Sequence, residues 1–166
     1  MQRPIILIDV LSVFMGGDNF MSYNHAYNAY KKASVNTASQ AELVVLLYEG
    51  AVKKLTSASS KFTPDGKLPV ANIESFSADV LRAQEIITEL QVSLDMEKGG
   101  EISRNLMALY IFFNDQLRSA NISKSKEKID SVLNMMSQLT DSWRKAAENA
   151  NGTVAAQNQP ALNIEG

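Results

Sequence analysis

The sequence predicts an all-α protein, an antiparallel four-helix bundle with a short N-terminal helical segment. Three observations lead to this fold class. Apolar residues recur at spacings of three and four over four long stretches, which is the period of an amphipathic helix. The stretches are joined by short connections, and connections of roughly 2–8 residues make successive helices antiparallel neighbours. The chain also holds only four prolines and eight glycines, which lie mostly between the periodic stretches.

The first helix of the bundle is predicted to begin at Ser39 and to end near Phe62. Ser39 and Glu42 form a capping box, in which each side chain bonds the backbone N–H of the other residue. Gly50 lies in the middle of this helix, where glycine costs about 1 kcal/mol relative to alanine. We therefore expect a neighbouring helix to approach closely at Gly50. The apolar stripe of the first helix is Val44, Leu47, Ala51, Leu55, Ala58 and Phe62.

Three further helices follow at about 70–97, from about 101, and at about 126–149, with turns at Thr63–Pro69 and Gly99-Gly100. Each carries apolar residues at helical spacing, and the second has a heptad repeat typical of bundles. The second stripe is Ile73, Phe76, Val80, Ala83, Ile87, Leu90 and Leu94. The third is Ile102, Leu106, Leu109, Phe113 and Leu117. The fourth is Ile129, Val132, Met136, Leu139 and Trp143, with Ala146 beyond.

These patterns divide the chain into four parts. Residues 1–20 contain an apolar run that is shorter than the ~20 residues a membrane-spanning helix needs. We interpret residues 1–20 as a misplaced start or a loosely attached extension; the rival interpretation is a short strand or helix that covers part of the body. Residues 21–38 form a tyrosine-rich cap segment, and 39–149 form the bundle. Residues 150–166 lack a period and large apolar residues, so we expect a disordered tail.

Composition argues against most catalytic chemistry. The net charge is −2 and the pI is near 5.4, without the basic patch that nucleic acid requires. The chain has no cysteine and one histidine, so it has neither a thiolate nucleophile nor a two-histidine zinc site. It also lacks a glycine-rich phosphate loop and a nucleophile elbow. The sequence therefore predicts a protein that is not an enzyme, with no catalytic residues, metal or cofactor.

The third and fourth helices carry more apolar side chains than a core face needs. We expect the surplus to form a groove that accepts an amphipathic helix, which is a common mode of peptide recognition. The alternative is that the tyrosine segment or a second copy of the chain covers these residues, and periodicity does not decide between the two. The surplus residues are Met107, Tyr110, Ile111, Phe112, Leu133 and Met135.

Three quoted stretches, taken in order, resemble a known family. They are "AYNAYKKASVNTASQAELVVLLYEGAVKKL" (26–55), "LDMEKGGEISRNLMALYIFFNDQLRSANI" (94–122) and "WRKA" (143–146). Together they resemble the flagellar secretion chaperone family FliS, from about Met21 to Ala147. The chain departs from the family pattern at Gln40, where a proline is frequent. It also departs over 111–116, where a basic pair is missing.

The resemblance implies a chaperone of the bacterial cytosol. Such a protein binds the disordered C-terminal segment of flagellin, prevents premature polymerisation, and delivers flagellin to a membrane protein of the flagellar type III export gate. It consumes no nucleotide, does not insert into the membrane, and is a monomer or weak dimer. The rival hypotheses are a self-associating helical scaffold and a bundle enzyme that uses a small molecule or metal.

The resemblance also assigns a role to the tyrosine segment. Positions matching Tyr27 and Tyr30 take part in docking to the export gate, and the N-terminal segment can lie over the flagellin-binding surface. Tyr23, Tyr27 and Tyr30 fall at spacings of four and three, so on a helix they form one stripe. Tyrosine has an apolar ring and a polar tip, which suits a removable cover. We therefore expect these tyrosines to act as both cap and docking patch.

Overall fold

The structure, a computed structural model, describes residues 37–157, with side chains described over 40–149 and at Gly152. Four α-helices make up most of this part of the chain, and a short 3₁₀ turn at Val70–Asn72 precedes the second of them. We number the helices α1 (Thr37–Ser60), α2 (Ile73–Ser93), α3 (Gly100–Ser123) and α4 (Lys126–Gln157).

The four helices form an antiparallel bundle, which confirms the predicted fold class. Helix α1 packs against α2 and α4, and α3 packs against the same two helices from the opposite corner. The contact between α3 and α4 is the least extensive of the four neighbouring pairs. The largest fully buried side chains of the core are Tyr48, Leu55, Phe76, Ile87, Leu90, Tyr110, Phe113, Leu117, Ile129 and Met136.

Helix α1 follows the predicted stripe closely but begins earlier than predicted. Its first residue is Thr37, so Ser39 lies within the first turn and is not the cap that we expected. The apolar stripe is buried except for Leu47, which is half-buried, because Tyr48 occupies the central position instead. Gly50 lies 3.4 Å from Ile86 Cδ1, measured from the position a Cβ would take. That is an ordinary van der Waals contact, so packing does not require glycine there.

The second helix ends at Ser93, so the predicted end near 97 is wrong. The chain turns there from α2 towards α3. Leu94 is extended, and the Asp95 carboxylate accepts the backbone N–H groups of Glu97 (3.0 Å) and Lys98 (2.9 Å). An aspartate that bonds the backbone ahead of it favours a turn over a continuing helix. At the other end of α2, Ile73 is exposed, so its place in the predicted core stripe is wrong.

The Gly99-Gly100 pair has two separate steric roles. A Cβ on Gly99 would lie 1.7 Å from Ser103 Oγ and 2.7 Å from the Asp95 carbonyl oxygen. The Ser103 hydroxyl occupies that space because it donates to the same carbonyl at 2.8 Å. Gly100 has a φ of 50°, in the left-handed region where glycine is favoured. The turn is therefore compact because neither residue carries a side chain.

Helix α4 continues beyond its predicted end at Asn149 to Gln157. The prediction that a disordered tail starts at 150 is therefore wrong for residues 150–157. Extending an existing helix adds one hydrogen bond for each residue fixed, and the alanines and glutamine near the end are good helix formers. The cost of Gly152, about 1 kcal/mol, does not stop the helix. Residues 1–36 and 158–166, with the predicted extension, most of the tyrosine segment and the end of the tail, lie outside the described residues.

Polar contacts join α1 to both of its neighbours. On the α2 side, Asp79 accepts from Ser57 Oγ at 2.6 Å and pairs with Lys61 at 2.8 Å. Burial alone would raise the pKa of Asp79, but hydrogen bonds from Lys61 and Ser57 outweigh it and hold the pKa below its ordinary value. On the α4 side, Ser59 Oγ donates to Asp130 at 2.5 Å. These contacts fix the antiparallel register of the three helices.

Candidate functional site

Tyr110 belongs to the core and not to the surplus apolar surface that we expected. The residue is fully buried, and its hydroxyl hydrogen bonds with that of Tyr48 across the diagonal of the bundle. The α3 core stripe therefore passes through Tyr110, while Ile102 and Leu109 of the predicted stripe are only half-buried. The stripe observed is Ser103, Leu106, Tyr110, Phe113, Leu117 and Ala120.

The other predicted residues of α3 lie on two different flanks of the helix. Met107, Ile111 and Asn114 are three or four residues apart and share the flank that faces α2. There, the side-chain amide of Asn114 donates to Thr88 Oγ1 of α2 at 3.2 Å. Phe112 shares the opposite flank with Leu109, three residues before it. Ile111 and Phe112 are 47% and 45% exposed, so both are available to a partner, but not to the same groove.

The two predicted residues of α4 are also separated. Leu133 lies three residues after Asp130, on the flank where Asp130 accepts from Ser59 of α1. Met135 lies on the other flank, where it lines an open cavity against α3. Both side chains are half-buried against the core. The six predicted residues therefore do not form one surface, and only Met135 and Phe112 belong to the α3–α4 side.

We call the cavity on this side the α3–α4 groove. It has a volume of about 280 Å³ and is lined by Leu109, Met135, Gln138, Leu139 and Ser142. The three apolar side chains are half-buried and pack against the core. None of the five lining side chains carries a charge, so the groove favours an apolar face with a few hydrogen-bonding groups. It lies where the helices of the bundle make the least contact.

Sequence reasoning missed most of this groove because it assigned Leu109 and Leu139 to the core stripes. In α4 the buried positions after Met136 are Thr140 and Trp143, and Leu139 lies at the edge of the stripe. Thr140 is buried because its hydroxyl donates to the Met136 carbonyl at 2.7 Å. Leucine is more apolar than threonine, so periodicity alone favours Leu139 over Thr140 as the buried residue. The apolar residues of the groove therefore lie one position off the stripes that are buried.

Two further findings bear on function. No group of three or more His, Asp or Glu side chains that could hold a metal occurs within the described part of the chain. No helix over residues 37–157 is both long and apolar enough to cross a membrane. Tyr27 and Tyr30, with Tyr23, precede Thr37 and lie outside the described residues. Their predicted role in capping and docking therefore stays a prediction.

The fold is an antiparallel four-helix bundle with an open groove between α3 and α4. The family model described as flagellar protein FliS matches residues 23–150. A flagellar secretion chaperone FliS of Campylobacter jejuni is 33% identical over 131 residues, which cover 78% of this chain and 96% of the relative. That of Escherichia coli is 31% identical over 116 residues, covering 69% and 81%. The chain belongs to the FliS family of flagellar secretion chaperones, which confirms the resemblance stated above.

Proposed function

We propose that this protein is a cytosolic chaperone that binds the C-terminal segment of flagellin and delivers it to the flagellar export gate. Binding keeps that segment from polymerising before export, and no catalysis is involved. Family membership supports the coarser role, because the relatives are named flagellar secretion chaperones. The observation that carries the finer proposal is the α3–α4 groove, which offers an apolar helix a position beside two helices that contact each other sparsely.

The chemistry of the groove suits an amphipathic client helix. Leu109 and Phe112 are three residues apart on α3, and Met135 and Leu139 are four apart on α4, so each pair presents two apolar side chains to one side. Methionine is flexible and polarizable, which helps a surface to accept different clients. Gln138 and Ser142 supply hydrogen-bonding groups at the rim. A client that folds on binding loses several kcal/mol to ordering, so it needs an extended apolar track of this kind.

The tyrosine segment completes the proposal. Tyr23, Tyr27 and Tyr30 would cover the groove in the empty chaperone, and flagellin would displace them. Displacement would expose the Tyr27–Tyr30 pair for docking to a cytosolic domain of the export gate. The support for this step is the family resemblance of the segment, which directly precedes α1 in the sequence.

Co-expression with the flagellin of the same organism, followed by size-exclusion chromatography and light scattering, tests the proposal. We expect a soluble complex with one copy of each chain. Flagellin truncated before its C-terminal segment is the matched control and should elute alone. A concentration-dependent dimer of the chaperone that ignores flagellin would contradict the proposal and favour the self-associating scaffold.

A further inference from the structure

Two methionines are adjacent on α4, and the fold places them in different environments. Met136 is fully buried in the core of the bundle. Met135 is half-buried, and it lines the open α3–α4 groove. The groove has a volume of about 280 Å³, far more than the ~10–15 Å³ that a cavity needs to admit one water molecule. A small molecule from solution can therefore reach the side chain of Met135 but not that of Met136.

The methionine side chain brings a reactive atom to this groove. The chain has no cysteine, so methionines hold all of its sulfur. Peroxides oxidise an accessible thioether to the sulfoxide. The sulfur attacks one oxygen of hydrogen peroxide, the O–O bond breaks and an S=O bond forms. The sulfur gives two electrons to the peroxide, whose second oxygen leaves as water. A polar side chain then replaces a flexible apolar one.

A sulfoxide at position 135 changes the apolar side of the α3–α4 groove. That side consists of Leu109, Met135 and Leu139, the last two of which lie one turn apart on α4. The S=O oxygen accepts hydrogen bonds, and an apolar client side chain packed on it would leave it both unpaired and shielded from water. Burial of an unpaired polar group costs free energy, so the oxidised groove binds an apolar client helix less tightly.

The free chaperone can accommodate the same change. In the empty groove the sulfoxide oxygen can be hydrated, or it can accept a hydrogen bond from Gln138, which lies three residues further along α4 and lines the same groove. Oxidation of Met136 would instead place a polar group among fully buried apolar side chains and destabilise the bundle. Oxidation of Met135 therefore alters binding, whereas oxidation of Met136 alters folding.

We propose that Met135 is a modification site, at which a peroxide weakens client binding by oxidising the thioether to the sulfoxide. The inference rests on the proposed function, because it places the client on Met135 in the α3–α4 groove. The change is reversible, since methionine sulfoxide reductases act on both epimers of the sulfoxide. Two thiols supply the electrons and become a disulfide, and the oxygen leaves as water. The groove therefore loses its client in the presence of peroxide and recovers it after reduction.

The other described methionines serve as controls because neither lines the α3–α4 groove. Met107 is half-buried against the core, on the flank of α3 that faces α2. Met96 is 41% exposed in the turn between α2 and α3. The same reaction at either position leaves the lining of the groove unchanged. An effect on the client that follows oxidation of Met135 alone is therefore specific to the groove.

Treatment of the full chain with hydrogen peroxide, followed by tandem mass spectrometry, measures the oxidation rate at each methionine. We expect Met96 to react fastest and Met135 to react at least tenfold faster than Met136, because access controls the reaction. Bound flagellin should slow the oxidation of Met135 at least fivefold and leave that of Met96 unchanged. If Met135 reacts as slowly as Met136, the groove is closed to solvent, by the chain's own residues before Thr37 or by another cover, and the inference is overturned.

Calorimetric titration with the C-terminal segment of flagellin, after the peroxide has been removed, measures the effect on binding. Oxidation should weaken binding at least tenfold for the parent protein and for Met96→Leu, and the reductases with dithiothreitol should restore it. Circular dichroism should show that the oxidised parent protein remains helical.

Met135→Leu removes the sulfur at nearly constant volume. This variant should bind within threefold of the parent protein and keep that affinity after peroxide treatment. If peroxide weakens binding by Met135→Leu as much as by the parent, another residue is responsible and the inference is wrong. If the untreated parent protein does not bind flagellin, the proposed function itself fails, so the two failures are distinguishable.

Discussion

The hydroxyl groups of Tyr48 and Tyr110 hydrogen bond to each other in the middle of the bundle, across its α1–α3 diagonal. Both side chains are fully buried, and the ring centroids are 6.3 Å apart. Burial raises the pKa of Tyr48 to about 12, although hydrogen bonds with Tyr110 and Trp143 counter part of that rise. Burial also raises the pKa of Tyr110 well above its usual value. The pair therefore stays neutral over the physiological pH range.

The first prediction concerns this pair. Tyr110→Phe removes one partner and should destabilise the bundle by about 1–3 kcal/mol, because the Tyr48 hydroxyl loses a buried bond. The double variant with Tyr48→Phe should cost less than the sum of the two single variants, by about 0.5–3 kcal/mol. Urea unfolding of the four proteins measures this difference. Strictly additive effects would show that the two hydroxyls are not coupled.

The second prediction compares two glycines. Gly99→Ala should destabilise the protein by about 1–3 kcal/mol, because the added Cβ would meet Ser103 Oγ and the Asp95 carbonyl. Gly50→Ala is the control and should stabilise it by about 0.5–1 kcal/mol, because alanine favours the helix and Ile86 leaves room. Thermal unfolding measures both. Adding Ser103→Ala should relieve only part of the Gly99→Ala loss, since the contact with the carbonyl remains.

The third prediction concerns acid stability. The pKa of Asp79 is lower in the folded protein than its ordinary value of 3.8, so the unfolded chain binds more protons as the pH falls towards that value. The stabilisation from Asp79 is therefore fully present above about pH 5 and is lost as the pH falls below about 4. Asp79→Asn should be less stable at pH 7 and lose less stability between pH 5 and pH 3. Urea unfolding at several pH values measures the free energy of unfolding of both proteins. If it falls equally for both proteins between pH 5 and pH 3, Asp79 is not the source of the acid sensitivity.

The fourth prediction concerns the tyrosine segment. Deleting residues 22–33 should leave flagellin affinity equal or higher, because the client no longer competes with an internal ligand. Docking of the loaded chaperone to the export gate should be lost. Tyr27→Ala with Tyr30→Ala should reproduce the docking loss without changing flagellin affinity. If the deletion weakens flagellin binding more than tenfold, or about 1.4 kcal/mol, the segment is part of the flagellin site.

The sequence predicts the helices and their order well because each helix has a clear apolar period and each connection is short. The sequence predicts poorly which face of α3 is buried. Leu109 to Phe113 are five consecutive apolar residues, so several stripes fit equally well. Ser103 and Ala120 complete the real stripe, but a buried serine and a small alanine give no hydrophobic signal. The serine is buried because its hydroxyl donates to the Asp95 carbonyl.

The candidate groove was harder to predict than the fold for the same reason. A shift of one residue in phase exchanges a core residue for a surface residue, as with Tyr110 and Leu109. The flank of a helix that faces a given neighbour depends on packing, and side-chain contacts such as that of Asn114 with Thr88 of α2 show which flank it is. Surplus apolar residues indicate that a surface exists. They do not show that Ile111 and Phe112 lie on opposite flanks of α3.

That separation supplies the fifth prediction and the most direct test of the account. Phe112 and Ile111 are neighbours in sequence with nearly equal exposure. Only Phe112 is three residues from Leu109, which lines the α3–α4 groove, so helical spacing places Phe112 on the flank of the groove. Both Phe112→Asp and Ile111→Asp should fold normally, because an exposed carboxylate remains hydrated. Calorimetric titration with the C-terminal segment of flagellin should show at least a tenfold loss for Phe112→Asp and less than threefold for Ile111→Asp. Equal losses, or a larger loss for Ile111→Asp, would contradict the placement of flagellin in the groove.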